Sequence, residues 1–157
     1  MHFLLQQLLK RLLITTGLLA SLLFAQAVTA LEFRSVSVAK AILYDAPSVE
    51  AEKLYLLSQG YPVELIVNLG EWIKIRDAQG SLSWIESKAL NSKRTAIVNI
   101  VQAEMRIKDD ETSAVVANIE QNVVVELLSP IKNGWVKVRH RDGLTGFVLT
   151  TSLWGVN

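Results

Sequence analysis

The residues of this chain that could do chemistry are few, and most are aromatic. Tyr44, Trp72, Lys74, Trp84 and Trp135 combine flat apolar rings with polar tips, a combination that anchors a peptide or a sugar face. His140, in RHRDG, is the only histidine after residue 30. As a general base it would need a nucleophile and an orienting partner, and its segment reads instead as a hairpin tip among solvated charges, so no catalytic residue is expected. KDDET, residues 108–112, gathers three carboxylates without the spacing or central glycine of a calcium loop. It reads as a solvated loop, with no metal site and no cofactor expected. RHR with Lys137 and Arg106 is too small a basic cluster to indicate nucleic acid. The chain has no cysteine, which excludes disulfides, thiolate catalysis, cysteine-ligated metals and lipid attachment through an N-terminal cysteine.

The elements that must position the aromatic residues show apolar period two. In WIKIR, Ile73 and Ile75 point one way while Trp72, Lys74 and Arg76 point the other; WVKVR repeats the pattern with Val136 and Val138. Gly80 and Gly143 fall where a three-residue hairpin loop needs a left-handed residue. That register sets Ile73 opposite Ile85 and Val136 opposite Val148 on the inner face. It leaves Trp72, Lys74 and Trp84 together outside, with Lys74 between two indoles, either as part of a binding face or as a cation–π rung. Further strands are predicted over 36–44, 54–58, 63–67, 97–105, 115–119 and 123–128.

These segments occur twice. GEWIKIRDAQGSLSWI from Gly70 and NGWVKVRHRDGLTGFV from Asn133 align at an offset of 63, while VEL at Val63 and VEL at Val125 align at 62. One residue is therefore gained near Ser129 and Pro130, as expected for a duplicated domain with one variable loop. A period near 60 fits a small domain rather than a solenoid unit. The expected organisation is one domain at 33–90, a linker at 91–95 and a second domain at 96–154. Five linker residues reach at most about 17 Å, so the domains are neighbours.

The first thirty residues differ from the rest. Lys10 and Arg11 precede an apolar run from Leu12 to Ala25, followed by AQAVTA. This is the pattern of a secretory signal peptide over 1–30, cleaved after Ala30 or, as a second choice, Ala27. The alternative is a retained anchor, since Leu12 to Val28 reaches the lower length limit of a spanning helix. All fifteen acids but only fourteen of the sixteen Lys and Arg follow residue 30, so the remainder carries −1. It has no global field to recruit nucleic acid or anionic lipid.

W-[IV]-K-[IV]-R, a turn ending in glycine, then G-F-V or S-W-I and a leucine five residues later resemble the bacterial Src-homology-3 (SH3) domain. AILYDAPS, 41–48, is similar to the opening of the eukaryotic relatives, and LWGVN to the tail of exported tandem SH3-like proteins of Gram-negative bacteria. The resemblance implies an all-β protein of two tandem, small, five-stranded, partly open barrels that serve as binding modules. Carried over by position, the eukaryotic peptide groove falls on Tyr44, Ala46, Trp72, Trp84, Glu86 and Ala89. Glu86 stands where a proline usually helps form it, so proline-rich recognition is not implied. In the second repeat Arg106 replaces Tyr44, Val123 replaces Tyr61 and Phe147 replaces Trp84, which favours the first domain as the binding one.

The expected protein is periplasmic, meets the membrane only during export, has no enzymatic activity and does not bind nucleic acid. Its partner is a peptidoglycan peptide or a cell-envelope protein, bound through Tyr44, Trp72, Lys74, Trp84 and Trp135. The competing expectation is a structural or assembly role, in which the same aromatics close an interdomain or dimer interface.

Overall fold

The structure is a computed structural model of the chain and describes residues 31–156. The signal-peptide expectation, 1–30, lies outside the described residues. The first repeat forms β1 (Glu32–Val36), β2 (Lys40–Tyr44), β3 (Lys53–Ser58), β4 (Pro62–Asn68), β5 (Trp72–Arg76), β6 (Leu82–Glu86), a 3-10 turn (Ser87–Ala89) and β7 (Leu90–Asn91). The second forms β8 (Thr95–Val98), β9 (Gln102–Arg106), β10 (Val115–Glu120), β11 (Val124–Leu127), β12 (Trp135–Arg139), β13 (Thr145–Leu149), a 3-10 turn (Thr150–Ser152) and β14 (Leu153–Trp154). The sheet orders are β3-β2-β6-β5-β4-β1-β7 and β10-β9-β13-β12-β11-β8-β14, one plan used twice.

The inward residues of each sheet meet in one core, so each sheet curls around itself. Val36, Leu43, Leu57, Val63, Ile73, Ile75, Ile85 and Leu90 fill the first; Val98, Met105, Ile119, Val125, Val136, Val138, Val148 and Leu153 fill the second. β-Branched residues suit this pleated, half-buried surface. Ile73 faces Ile85 and Val136 faces Val148, in the predicted register. The hairpin loops are also as predicted. Asp77 N–H donates to the Ser81 carbonyl and His140 N–H to that of Leu144, with Gly80 at φ 88° and Gly143 at φ 95°.

Each of the five predicted strands per repeat is present, but the first is divided. The single strand predicted over 36–44 breaks after Val36, and that over 97–105 breaks after Val98. A curled sheet requires this. β1 pairs with β4 and β7, whereas β2 pairs with β3 and β6, so the chain must turn between them. Val36 C=O accepts from Gly60 N–H, and Ser37 N–H donates to Ala89, which anchors the bend. The two-residue strands β7 and β14 bring each sheet to seven.

A polar and aromatic seam joins the domains. Phe33 of β1 meets Trp154 of β14 edge-on, ring centroids 5.1 Å apart, and the Arg94 guanidinium lies 5.8 Å from the Phe33 ring. Arg94 Nη2 also donates to the Gly155 carbonyl at 3.0 Å. The Ser35 hydroxyl lies 2.6 Å from that of Thr95 and 2.5 Å from the Lys93 carbonyl, and the Thr95 hydroxyl lies 2.7 Å from the Gly60 carbonyl. Two hydroxyl protons thus serve three contacts in a buried place. Gly155 is required here: its φ is 99°, and a Cβ would stand 3.0 Å from the Thr95 carbonyl and 3.1 Å from Pro62. At this junction the ring contact between the domains is made by Phe33 and Trp154.

Candidate functional site

The aromatic face of the first domain is built by β2, β5 and β6. Alternation on β5 buries Ile73 and Ile75 and leaves Trp72 and Lys74 half-buried; β6 does the same with Ile85 and Trp84. Lys74 lies directly opposite Trp84, its Nζ 5.9 Å from the ring centroid. The expectation that Lys74 sits between two indoles is met on one side only. Trp72 lies opposite Glu86 and meets Tyr44 in a T-shaped pair, at 5.2 Å between centroids and 88° between planes. Tyr44 is itself buried, 4% exposed, and its backbone pairs with Trp84. It supports Trp72 more than it offers a surface of its own.

Beside Trp72 lies a groove of about 530 Å³, between the β2–β3 loop and the 3-10 turn. Pro47, Ser48 and Val49 form one wall; Trp72, Glu71, Glu86 and Lys88 form the other. The loop wall is tied down. Asp45 N–H donates to the Glu52 carbonyl, Glu52 N–H returns a bond to the Asp45 carboxylate, and Ser48 Oγ accepts from Glu50 N–H. Ser87 N–H donates to the Glu71 carbonyl across the far wall. Lys88 pairs with Glu86 at 2.8 Å, and this hydrogen bond raises the lysine above its ordinary value. Glu71 makes no ion pair among the described residues. The groove therefore joins one clamped indole to a carboxylate, Glu71, that lies in the field of Lys88 but makes no direct ion pair with it.

Trp135 does not join this face. The sequence places it with the binding aromatics, but it is 6% exposed. The extra residue of the second repeat explains the difference. Where the first repeat closes β4 to β5 with Leu69 N–H donating to Trp72, the second grows a longer loop. Lys132 and Trp135 exchange backbone bonds around Asn133 and Gly134, and Ser129 Oγ accepts from Lys137 N–H. This loop folds back along the start of β12.

His140 Nδ1 lies 2.9 Å from an Asp142 carboxylate oxygen at the hairpin tip. Donation from Leu144 N–H, then from His140, holds the Asp142 carboxyl below the usual range. In KDDET, Asp110 accepts from the backbone and hydroxyl of Thr112, which lowers it likewise. Among the described residues no group of three or more His, Asp or Glu is placed to hold a metal.

Sequence reasoning missed two sets of residues. The groove walls at Ser48, Val49, Glu71 and Lys88 come from loops whose approach no periodicity encodes. The seam did leave a signal: Trp154 aligns with Asn91 and Gly155 with Ser92. An aromatic present in one copy of a duplicated fold is available for something other than the fold.

Two curled, antiparallel sheets with a common strand order, a 3-10 turn before the last strand and an aromatic hairpin face define a tandem SH3-type protein. The family model of the bacterial SH3 domain matches residues 37–91 and 101–155, and the chain belongs to that family, whose domains are a binding-module type. No curated protein matches the chain. Among solved structures it is similar to NlpC2 from Trichomonas vaginalis, at 14% identity and TM-score 0.38, over 82% of this chain and 49% of that one. It is similar also to NlpC1 from Trichomonas vaginalis, at 16% identity and TM-score 0.37, over 82% and 47%. An NlpC/P60 family protein from Bacillus cereus matches at 14% identity and TM-score 0.36, over 78% and 56%. The chain spans about half the length of these structures.

Proposed function

We propose that this chain is an exported, non-enzymatic binding module of the cell envelope, periplasmic in location, whose first domain engages a peptide. The peptide belongs to peptidoglycan or to an envelope protein. The observation that carries this reading is the state of Trp72. It is half-buried, braced edge-on by Tyr44, and forms part of the groove lining. A ring held in place before the ligand arrives loses little freedom on binding, which is how aromatic anchors contribute affinity. Glu71 gives the groove a place for an ammonium, so a peptide carrying an amine suits it better than a proline-rich one. Lys74 over Trp84 extends the face as a rung.

Co-sedimentation of the protein with purified cell-wall sacculi tests this, comparing wild type with Trp72→Ala and Trp84→Ala. Retention of the wild type, and its loss in a Trp72→Ala protein whose melting curve still shows a folded domain, supports a wall-binding site on the first domain. Equal retention of both places any wall contact elsewhere. A wild type that does not sediment removes peptidoglycan and leaves the envelope-protein partner. Collapse of the Trp72→Ala melting curve would assign the ring to structure instead. Release of soluble fragments from the sacculi would overturn the non-enzymatic reading.

A further inference from the structure

Away from the aromatic groove, and sharing no residue with it, a cleft of about 630 Å³ opens between the two domains. One wall comes from the β3–β4 turn of the first domain, through Gln59. The other comes from the second domain, through Asn122 and the hairpin tip bearing Arg139 and Arg141, with Lys93 of the linker at the join. We propose that this cleft is a second binding site, for an anion carrying two neighbouring acidic groups of phosphate or carboxylate type.

Charge supports this first. Each domain, 33–90 and 96–154, holds six Lys and Arg against seven acids, so each is −1, while the linker carries Lys93 and Arg94 with no acid. The one locally positive segment between two slightly acidic domains is thus the junction. Within the cleft, Lys93, Arg139 and Arg141 face a single carboxylate, Glu126. Comparison of the repeats shows how the excess arises. In the first domain Glu64, opposite Arg76, holds that guanidinium at 2.9 Å. In the second, Glu126 is opposite Arg139 in the same way, but Lys93 takes its Oε2 at 3.0 Å and Arg139 stands at 3.6 Å. Arg141 makes no ion pair among the described residues. Three cations and one carboxylate leave two charges to be neutralised.

Shape supports it second. The walls are fixed to each other by the Thr95 contact to Gly60, by the Phe33–Trp154 pair and by packing of Val124 within 3.7 Å of where a Gly60 Cβ would lie. A cleft between rigid low-dielectric walls focuses the field of its charges. Guanidinium groups match the paired oxygens of carboxylate and phosphate, and the side-chain amide of Asn122 in the lining offers a neutral donor.

The test titrates the full chain with pyrophosphate and, separately, citrate at constant ionic strength, following backbone amide resonances of Gly60, Asn122 and Gly143. The expected result is a saturable shift confined to these positions with at least one anion. Arg141→Gln, an exposed change, should weaken binding about tenfold, the effect of one charge-assisted bond. Lys53→Gln, exposed and away from the cleft, should leave it unchanged. Response to pyrophosphate alone assigns phosphate chemistry, and to citrate alone carboxylate chemistry. Shifts that never saturate, or that spread equally to Lys40, Lys53 and Lys108, would mean ion screening only and overturn the proposal. So would an Arg141→Gln protein that binds as well as wild type.

Discussion

The two domains share a strand order and differ in what surrounds it. In the first, the β5–β6 loop is clasped from both sides. Tyr55 donates to the buried Asp77 carboxylate at 2.8 Å, and the Tyr61 hydroxyl donates to Gln79 at 3.0 Å and accepts from Ala78 N–H at 3.3 Å. Burial pushes both phenols up from their ordinary value. In the second domain the aligned residues are Ala117, Val123 and His140, and at the loop the half-buried His140 pairs with the exposed Asp142. On the aromatic face Tyr44 and Trp84 pair in the first domain, while Arg106 and Phe147 pair in the second. Arg106 turns to Glu104 and to the Ser113 carbonyl instead of bracing a ring. A duplicated barrel keeps its inward residues because both copies must close. Its outward residues are free to diverge, and here one copy carries a braced aromatic face while the other carries arginine, Arg106 and Arg141, at the positions of Tyr44 and Ala78.

The largest effect should come from the seam. Phe33→Ala removes a buried ring that touches both domains and should cost about 3 kcal/mol or more. Calorimetry should show a lower melting temperature and separation of the two domains into distinct transitions. A variant that still melts once, at the wild-type temperature, would show that the domains are coupled by something other than this pair.

A smaller effect tests how the two cores complement themselves. The first carries Leu43 and Ser83 at the positions where the second packs Met105 over Gly146, whose Cβ, if added, would clash with Met105 Cγ and stand 2.7 Å from the Arg106 carbonyl. Gly146→Ser should destabilise by about 1–3 kcal/mol, the range for overpacking. Met105→Leu in the same chain should restore part of the loss, because the two sites touch. Denaturant midpoints of the four proteins measure the coupling; strict additivity would refute it.

The smallest effect compares the rungs. Lys74 over Trp84 and Lys137 over Phe147 share a distance of 5.9 Å. Lys74→Met and Lys137→Met should each change stability by less than about 1 kcal/mol, with the tryptophan rung the stronger. If Lys74→Met instead weakens retention on sacculi without moving the denaturant midpoint, the lysine belongs to the binding face.

Much of this molecule was legible in its residues. The duplication, the alternation in WIKIR and WVKVR, the glycine-ended loops and the variable loop near Ser129 are local or periodic signals, and period-two burial carries directly into a sheet. The register followed because a three-residue loop admits one pairing that keeps Ile73 and Ile85 on the same side. The two divided strands were not legible, since Val36 to Tyr44 reads as one apolar run and only the sheet's curl demands a bend at 37–39. Nor was the burial of Trp135, which depends on the path of a longer loop. The inner face, the hairpins and the pair of like domains follow from the residues alone, because they depend on near neighbours and on alternation. Tertiary structure alone decided that Tyr44 braces Trp72, that Phe33 meets Trp154 across the seam, and that Lys93 draws Glu126 from Arg139. Each joins residues far apart in the chain, brought together only when the sheets curl and the domains meet.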